Sequence, residues 1–171
     1  QAARVVRACS AQMEHRPLII VGSGPAGTAT ALYLHREQPS LAREALLLDK
    51  AEHPRDKVCA GGLIPHTLES LRELDVPLDV PYVTVHNANV CVPGSQVAYR
   101  GRDLCHVIRR SEFDARLARA CTERGIEVRG GQRVVDVVRE NGLIRVETEH
   151  GSYRTPLLIG TPYPHFEDGR F

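Results

Sequence analysis

The sequence predicts an α/β fold with a parallel sheet, a β-meander and a small antiparallel layer, on three observations. First, a short apolar run, Leu18 to Val21, enters a glycine turn and is followed by Ala26 to Arg36, which reads as a helix rich in small residues. Second, Ala45 to Asp49 is another apolar run, ending in an acid roughly 20 residues beyond the last glycine of that turn. Third, the stretch from Val80 to Gly160 breaks into strand-like runs and one helical segment, punctuated by Pro, Gly and an Asn-Gly pair.

A chain of 171 residues suffices for one domain with a real core. Its 22 basic and 21 acidic residues are interspersed without long like-charge blocks, which argues against a nucleic-acid or polyanion binder. No apolar run approaches the ~18 residues needed to span a bilayer, so no transmembrane segment is expected, although peripheral contact with a membrane-borne substrate stays compatible. The five cysteines, Cys9, Cys59, Cys91, Cys105 and Cys121, are odd in number and contain no C-x-x-C pair. A disulfide framework and a zinc site are therefore unsupported, and the expected compartment is reducing, hence cytoplasmic. The eight histidines show no ligand spacing, and no metal is expected.

In chain order, Gln1 to Arg16 lack both periodicity and a secretory apolar region, and are expected to lie outside the fold, which then runs over 17–160. After the first strand, helix and second strand, Ala51 to Leu63 is a loop with Pro54, a cysteine and two glycines, long enough to suggest function. Leu63, Leu68, Leu71 and Leu74 follow at near-helical spacing, with Pro65 suited to a first helical turn. Four short runs (Tyr82 to His86, Asn89 to Val92, Gln96 to Arg100, Leu104 to Ile108) supply the small antiparallel layer. Ser111 is read as the N-cap of a helix carrying Phe113, Leu117, Ala118, Ala120 and Cys121 and ending near Gly125. Ile126 to Val128, Arg133 to Arg139 and Leu143 to Glu149 read as strands, with Asn141-Gly142 as the hairpin turn and His150-Gly151 as a weaker one. Leu157 to Gly160 fits a buried parallel strand.

Gly22, Gly24 and Gly27 carry the G-x-G-x-x-G spacing. The first glycine permits a sharp turn, the second leaves no Cβ in the way of a pyrophosphate, and the third lets helix and strand pack closely. Such an anion would sit on the helix N-terminus, where unpaired N–H groups and the helix dipole favour negative charge. The acid at Asp49 is placed to accept hydrogen bonds from an adenosine ribose. The bland alternative is a strand, turn and helix that bind nothing, with Asp49 solvated.

Three blocks, V-G-S-G-P-A-G at Val21 to Gly27, R-D-K-V-C-A-G-G-L at Arg55 to Leu63 and R-R-S-E-F-D at Arg109 to Asp114, resemble the FAD-dependent oxidoreductases of the p-hydroxybenzoate hydroxylase-like class. Within that class the second block is similar to the geranylgeranyl reductase type. The resemblance runs from about Leu18 to Gly160 and implies a Rossmann-like FAD/NAD(P)-binding domain. It further implies that Gly22, Gly24, Pro25, Ala26 and Gly27 hold the pyrophosphate region and that Asp49, with Lys50, holds the adenosine ribose. Cys59, Ala60, Gly61 and Gly62 would lie along the flavin, with Cys59 as the catalytic candidate. Arg110 would contact the FAD and Val134 would meet the adenine through its backbone. Two simpler readings stand beside these: Arg110 as a salt-bridge partner of Asp114 one helical turn away, and Cys59 as a small buried residue without chemistry.

The implied activity is hydride transfer from NADPH or NADH through flavin to an unsaturated, isoprenoid-type small molecule. The alternatives are a flavin-dependent monooxygenase or halogenase, which share the first and third blocks, and a non-catalytic nucleotide-binding module. After Leu158-Ile159-Gly160 the family continues with an Ala-Asp-Gly type motif, whereas this sequence reads Thr161-Pro162-Tyr163-Pro164. A divergent tail over 161–171 and an incomplete domain, stopping before the C-terminal FAD and substrate elements, are thus expected. With its apolar edge uncovered, such a domain is expected to self-associate.

Overall fold

The computed structural model describes residues 13–160; the expected tail and most of the expected N-terminal extension lie outside the described residues. Strand β1 (Glu14–His15) is followed by β2 (Ile19–Val21), α1 (Pro25–Glu37), α2 (Pro39–Glu44) and β3 (Leu46–Leu48). Next come β4 (Gly62–Leu63), α3 (Pro65–Glu73), β5 (Tyr82–Val92), β6 (Ser95–Ile108) and α4 (Arg110–Glu123). The chain closes with β7 (Glu127–Arg129), β8 (Val134–Glu140), β9 (Leu143–Thr148), β10 (Ser152–Thr155) and β11 (Leu158–Gly160). Among the described residues no helix is long and apolar enough to cross a membrane.

The parallel sheet has the order β11-β2-β3-β7. Its two central strands are short, continuous apolar runs because both of their faces are covered. Side chains alternate across a strand, and each face has its own partner. Ile20 and Leu47 face a cluster with Leu32 of α1, Leu71 of α3 and Phe113, Leu117 and Cys121 of α4. Ile19, Leu46 and Leu48 face Val146 and Tyr153 of the meander. All five of these sheet residues are 0 % exposed. At roughly 1.5 to 3 kcal/mol for each fully buried aliphatic side chain, this three-layer packing is the main source of stability.

The hairpin β8-β9 forms as its sequence predicts, with β10 added after the His150-Gly151 turn, and Asn141 (φ 49) and Gly142 (φ 81) make the first turn with two left-handed residues in succession. Helix α4 ends near Gly125, where the N–H of Gly125 donates to the Thr122 carbonyl and that of Ile126 to the Cys121 carbonyl, both at 3.0 Å.

Several expectations are corrected. The fold begins before residue 17, because Glu14 and His15 pair in parallel with Tyr153 and Arg154 of β10. Two charged or polar residues carry no hydrophobic period, so this strand left no pattern to read. Helix α2 was not anticipated; Pro39 stands at its first position and Ala42 is its buried residue. The four short β-runs are two long strands, with a register shift between Val85 and Asn87 in place of a break. Gly101 does not interrupt β6, and the Leu104 side chain lies over it. The helix expected from Leu63 begins at Pro65, with Leu63 in β4. Ser111 is not a cap: α4 starts one residue earlier, with extended Arg109 as the N-cap and no side-chain cap hydrogen bond. Strand β11 is parallel to β2 but only half-buried at Leu158 and Ile159, because it forms the edge of the sheet among the described residues.

An ion-pair network ties β1 to β7. Arg129 donates to both carboxylate oxygens of Glu14, at 2.6 and 3.0 Å, and also to Glu127, while Arg16 bridges Glu14 and Glu127. The bonds from Arg129, together with Arg16, hold the Glu14 carboxyl below its usual value against the opposing effect of burial. A carboxyl more acidic in the folded than in the unfolded chain stabilises fully above its unfolded value of about 4.5, and that contribution is lost as pH falls through the lower folded value. Glu14→Gln should therefore lower Tm at neutral pH and flatten the acid limb of the Tm–pH curve. Superimposable acid limbs for the two proteins would show that the network contributes nothing.

Candidate functional site

Strand β2 ends in the glycine turn. Gly22 adopts φ 101, which an L side chain rarely tolerates, and its N–H donates to the Leu48 carbonyl at 2.7 Å, binding the turn to the end of β3. Helix α1 starts at Pro25 with extended Gly24 as its N-cap, no side-chain cap and no acid in its first turn. The first-turn N–H groups and the positive end of the helix dipole are thus not countered by a carboxylate of that turn. A Cβ placed on Gly24 would stand 3.2 Å from a guanidinium nitrogen of Arg55. Gly27 is buried and Ala26 is exposed.

Asp49 follows β3 and is 7 % exposed. Its Oδ2 accepts from the Ser23 N–H at 2.7 Å and the Ser23 hydroxyl at 3.0 Å, and its Oδ1 accepts from the Ala51 N–H at 3.0 Å. Burial pushes this carboxyl up, but the Ala51 and Ser23 donors, helped by the Arg55 charge, hold it below the usual carboxylate range. His53 braces the same turn, with Nε2 2.7 Å from Ser23 Oγ. Lys50 points outward and is exposed.

From Gly24 a chain of charges leads to the cysteine loop. Arg55 Nη2 lies 4.0 Å from Asp49 Oδ2 and 3.5 Å from Asp114 Oδ2. Asp114, on α4, is 0 % exposed, and Arg110 one turn earlier grips it with both prongs, at 2.7 and 2.9 Å. A carboxylate removed from water requires such pairing, and the pair holds the Arg110 guanidinium more firmly protonated than usual.

Cys59 stands exposed next to this pair. Its thiol is held below its ordinary value by the Gly61 N–H, which donates to Sγ at 3.4 Å, and by Arg110. Gly61 (φ 73) passes so close to β6 that an added Cβ would fall 2.2 Å from the Ile108 carbonyl oxygen, so this backbone lies flat against the strand. By contrast, burial pushes the Cys121 thiol up to about 12.

The structure brings Gly22, Gly24, Asp49, Cys59 and Arg110 into one connected site. It also gives Arg110 the salt bridge to Asp114 that was its simpler reading. Cys59 is exposed, where its simpler reading had it buried. Val134 opens β8 opposite Thr148, half-buried against the second core cluster, two residues after Gln132, whose N–H donates to the Asp49 carbonyl at 2.8 Å. Ser23, His53, Arg55 and Asp114 were not singled out as site residues. Arg55 and Asp114 were legible only as members of the second and third sequence blocks, and nothing in the spacing of His53 marks it. Among the described residues no group of three or more His, Cys, Asp or Glu side chains is placed to hold a metal ion.

Comparison with known proteins agrees with this fold. An uncharacterized protein of Methanosarcina barkeri is 30% identical over 153 residues, covering 86% of this chain and 37% of that protein. A menaquinone reductase of Mycolicibacterium smegmatis is 27% identical over 132 residues, covering 72% of this chain and 31% of that protein. The chain therefore spans only about a third of the length of these relatives. Among solved structures, a geranylgeranyl bacteriochlorophyll reductase-like protein of Thermoplasma acidophilum has the same fold, with a TM-score of 0.69 and 23% identity over 86% of this chain and 39% of its own. So does a p-nitrophenol 4-monooxygenase of Pseudomonas putida, with a TM-score of 0.68 and 17% identity over 87% of this chain and 41% of its own. The fold is thus one that reductases and monooxygenases share. Residues 16–153 match the FAD binding domain model, and with the glycine turn, the buried acid after β3 and the arginine-paired helix in place, the chain belongs to that family of flavoproteins.

Proposed function

We propose that this chain is the nucleotide-binding part of a flavin-dependent reductase that takes hydride from NADPH or NADH and delivers it to a double bond of an isoprenoid-type substrate. One observation carries the reading. The charge chain Arg55–Asp114–Arg110 links the Gly24 turn to the exposed Cys59 and Ala60, which supports one site running from a phosphate-binding turn to the cysteine loop.

The residues fit FAD. Gly24 leaves a cradle that a Cβ would fill, and Arg55 Nε is buried without a hydrogen-bond partner beside it. Bound flavin supplies the hydride chemistry, and the protein supplies position and field. Gly22 to Gly27 would hold the pyrophosphate, and Asp49 the ribose hydroxyls, with Ser23 and Ala51 fixing its carboxylate. Gly61 and Gly62 let the cysteine loop pack closely on β6, and the exposed Cys59, Ala60 and Gly62 would lie along the flavin. The reductase names of the menaquinone and geranylgeranyl-type relatives support the substrate class.

FAD should bind more tightly than NADP in calorimetric titrations of the chain, because Asp49 repels a ribose 2′-phosphate and accepts from a free 2′-hydroxyl. Tighter NADP binding would overturn the assignment of Asp49. Gly24→Val should abolish FAD binding while leaving the far-ultraviolet circular dichroism unchanged; retained binding would remove the phosphate turn from the site. Alkylation of Cys59 should show a pH midpoint below the ~8.5 of a free cysteine, and Arg110→Lys should shift that midpoint, since a compact ammonium cannot reproduce the guanidinium fork. An ordinary midpoint in the parent chain would show that the thiol is not tuned.

A further inference from the structure

Two arginines meet the buried Asp114, and they are bonded differently. Arg110 places two donors on the carboxylate at 2.7 and 2.9 Å. Arg55 approaches Asp114 and Asp49 only to 3.5 and 4.0 Å, which is ion-pair distance but outside good hydrogen-bond geometry. Neither acid needs it: Asp114 already has the Arg110 fork, and Asp49 has Ser23 and Ala51. The Arg55 side chain is nonetheless only 19 % exposed, and its Nε is buried with no hydrogen-bond partner. An orphaned guanidinium donor in a buried position is costly unless an acceptor arrives. The same guanidinium lies 3.2 Å from the place a Gly24 Cβ would take, in front of the uncapped start of α1.

Resting on the FAD-binding reading above, we propose that Arg55 is the side chain that takes the pyrophosphate charge of the dinucleotide, and that Asp114, clamped by Arg110, is the positioning group that holds the Arg55 guanidinium over Gly24. On this account Arg110, which the sequence block marks for the cofactor, acts through Asp114, with its own fork already filled. A planar fork of donors suits two phosphate oxygens, and the two carboxylates fix it by charge without consuming its N–H groups. The loop from Asp49 to Cys59 then has three tasks in sequence: an acid for the ribose, an arginine for the diphosphate and a thiol near the ring.

The test is calorimetric titration of the whole chain with ADP, which carries the diphosphate, and with adenosine, which lacks it. Arg55→Ala should weaken ADP binding by about tenfold or more, the loss expected for a charge-assisted hydrogen bond, while adenosine binding stays unchanged. Arg55→Lys keeps the charge against both acids and guards against a folding defect; it should weaken ADP binding by a smaller factor, again with adenosine unchanged. The parent should lose ADP affinity with added salt more steeply than Arg55→Ala does. ADP binding equal in all three proteins would overturn the proposal and leave the FAD reading intact. Equal losses for ADP and adenosine would overturn it too, by showing Arg55 to be a structural brace. A parent chain that binds neither FAD nor ADP would instead refute the FAD reading, and this proposal with it.

Discussion

The carboxylate of Asp114 is the fixed point of the site. It is completely buried, yet it sits on the helix that covers one face of the parallel sheet, where an unpaired charge would cost several kcal/mol. Arg110 meets that requirement from one turn away, and in doing so its guanidinium is held where it also reaches the Cys59 sulfur. Arg55 also approaches this carboxylate, at Oδ2, which brings the loop after β3 back across the glycine turn. One buried acid thereby gathers three segments that are distant in sequence.

That arrangement depends on the sheet beneath it. Strands β2 and β3 are short and, apart from half-buried Val21, fully buried, so the two turns that follow them, at Gly22 and Asp49, emerge side by side from the same end of a rigid platform. Helix α1 and helix α4 pack on one face of this platform and the meander on the other. Loops placed on such a scaffold carry the variable chemistry. This is why a reductase-like protein and a monooxygenase can share the fold at low identity.

Much of this was legible beforehand. The apolar runs at 18–21 and 45–49, the glycine spacing and the Asn141-Gly142 turn each encode their structure locally, through burial on both faces or through a required left-handed backbone. The long hairpin reads as four strands because Gly101 looks like a break in β6, where a neighbouring side chain fills the space it leaves, and because β5 shifts register between Val85 and Asn87. Strand β1 was missed because its partners, Arg129 and strand β10, are distant in sequence, and no local pattern reports them. Arg55 was missed for a related cause: the buried acid it approaches, Asp114, lies on a helix distant in sequence, and a single arginine in a loop is ordinary.

The double burial of the central sheet has another side. Ile19-Ile20 and Leu46-Leu47-Leu48 offer the same kind of surface to both layers, so sliding one strand by a residue would exchange faces without exposing anything apolar to water. Hydrophobicity alone leaves the alignment of these strands undecided. The polar groups at their ends decide it. The Gly22 N–H meets the Leu48 carbonyl and the Asp49 carboxylate meets the Ser23 N–H in one register, and a slip would leave each of these partners buried and unmatched. The turn between β2 and α1 is therefore also the mark by which the chain tells one face of its own sheet from the other.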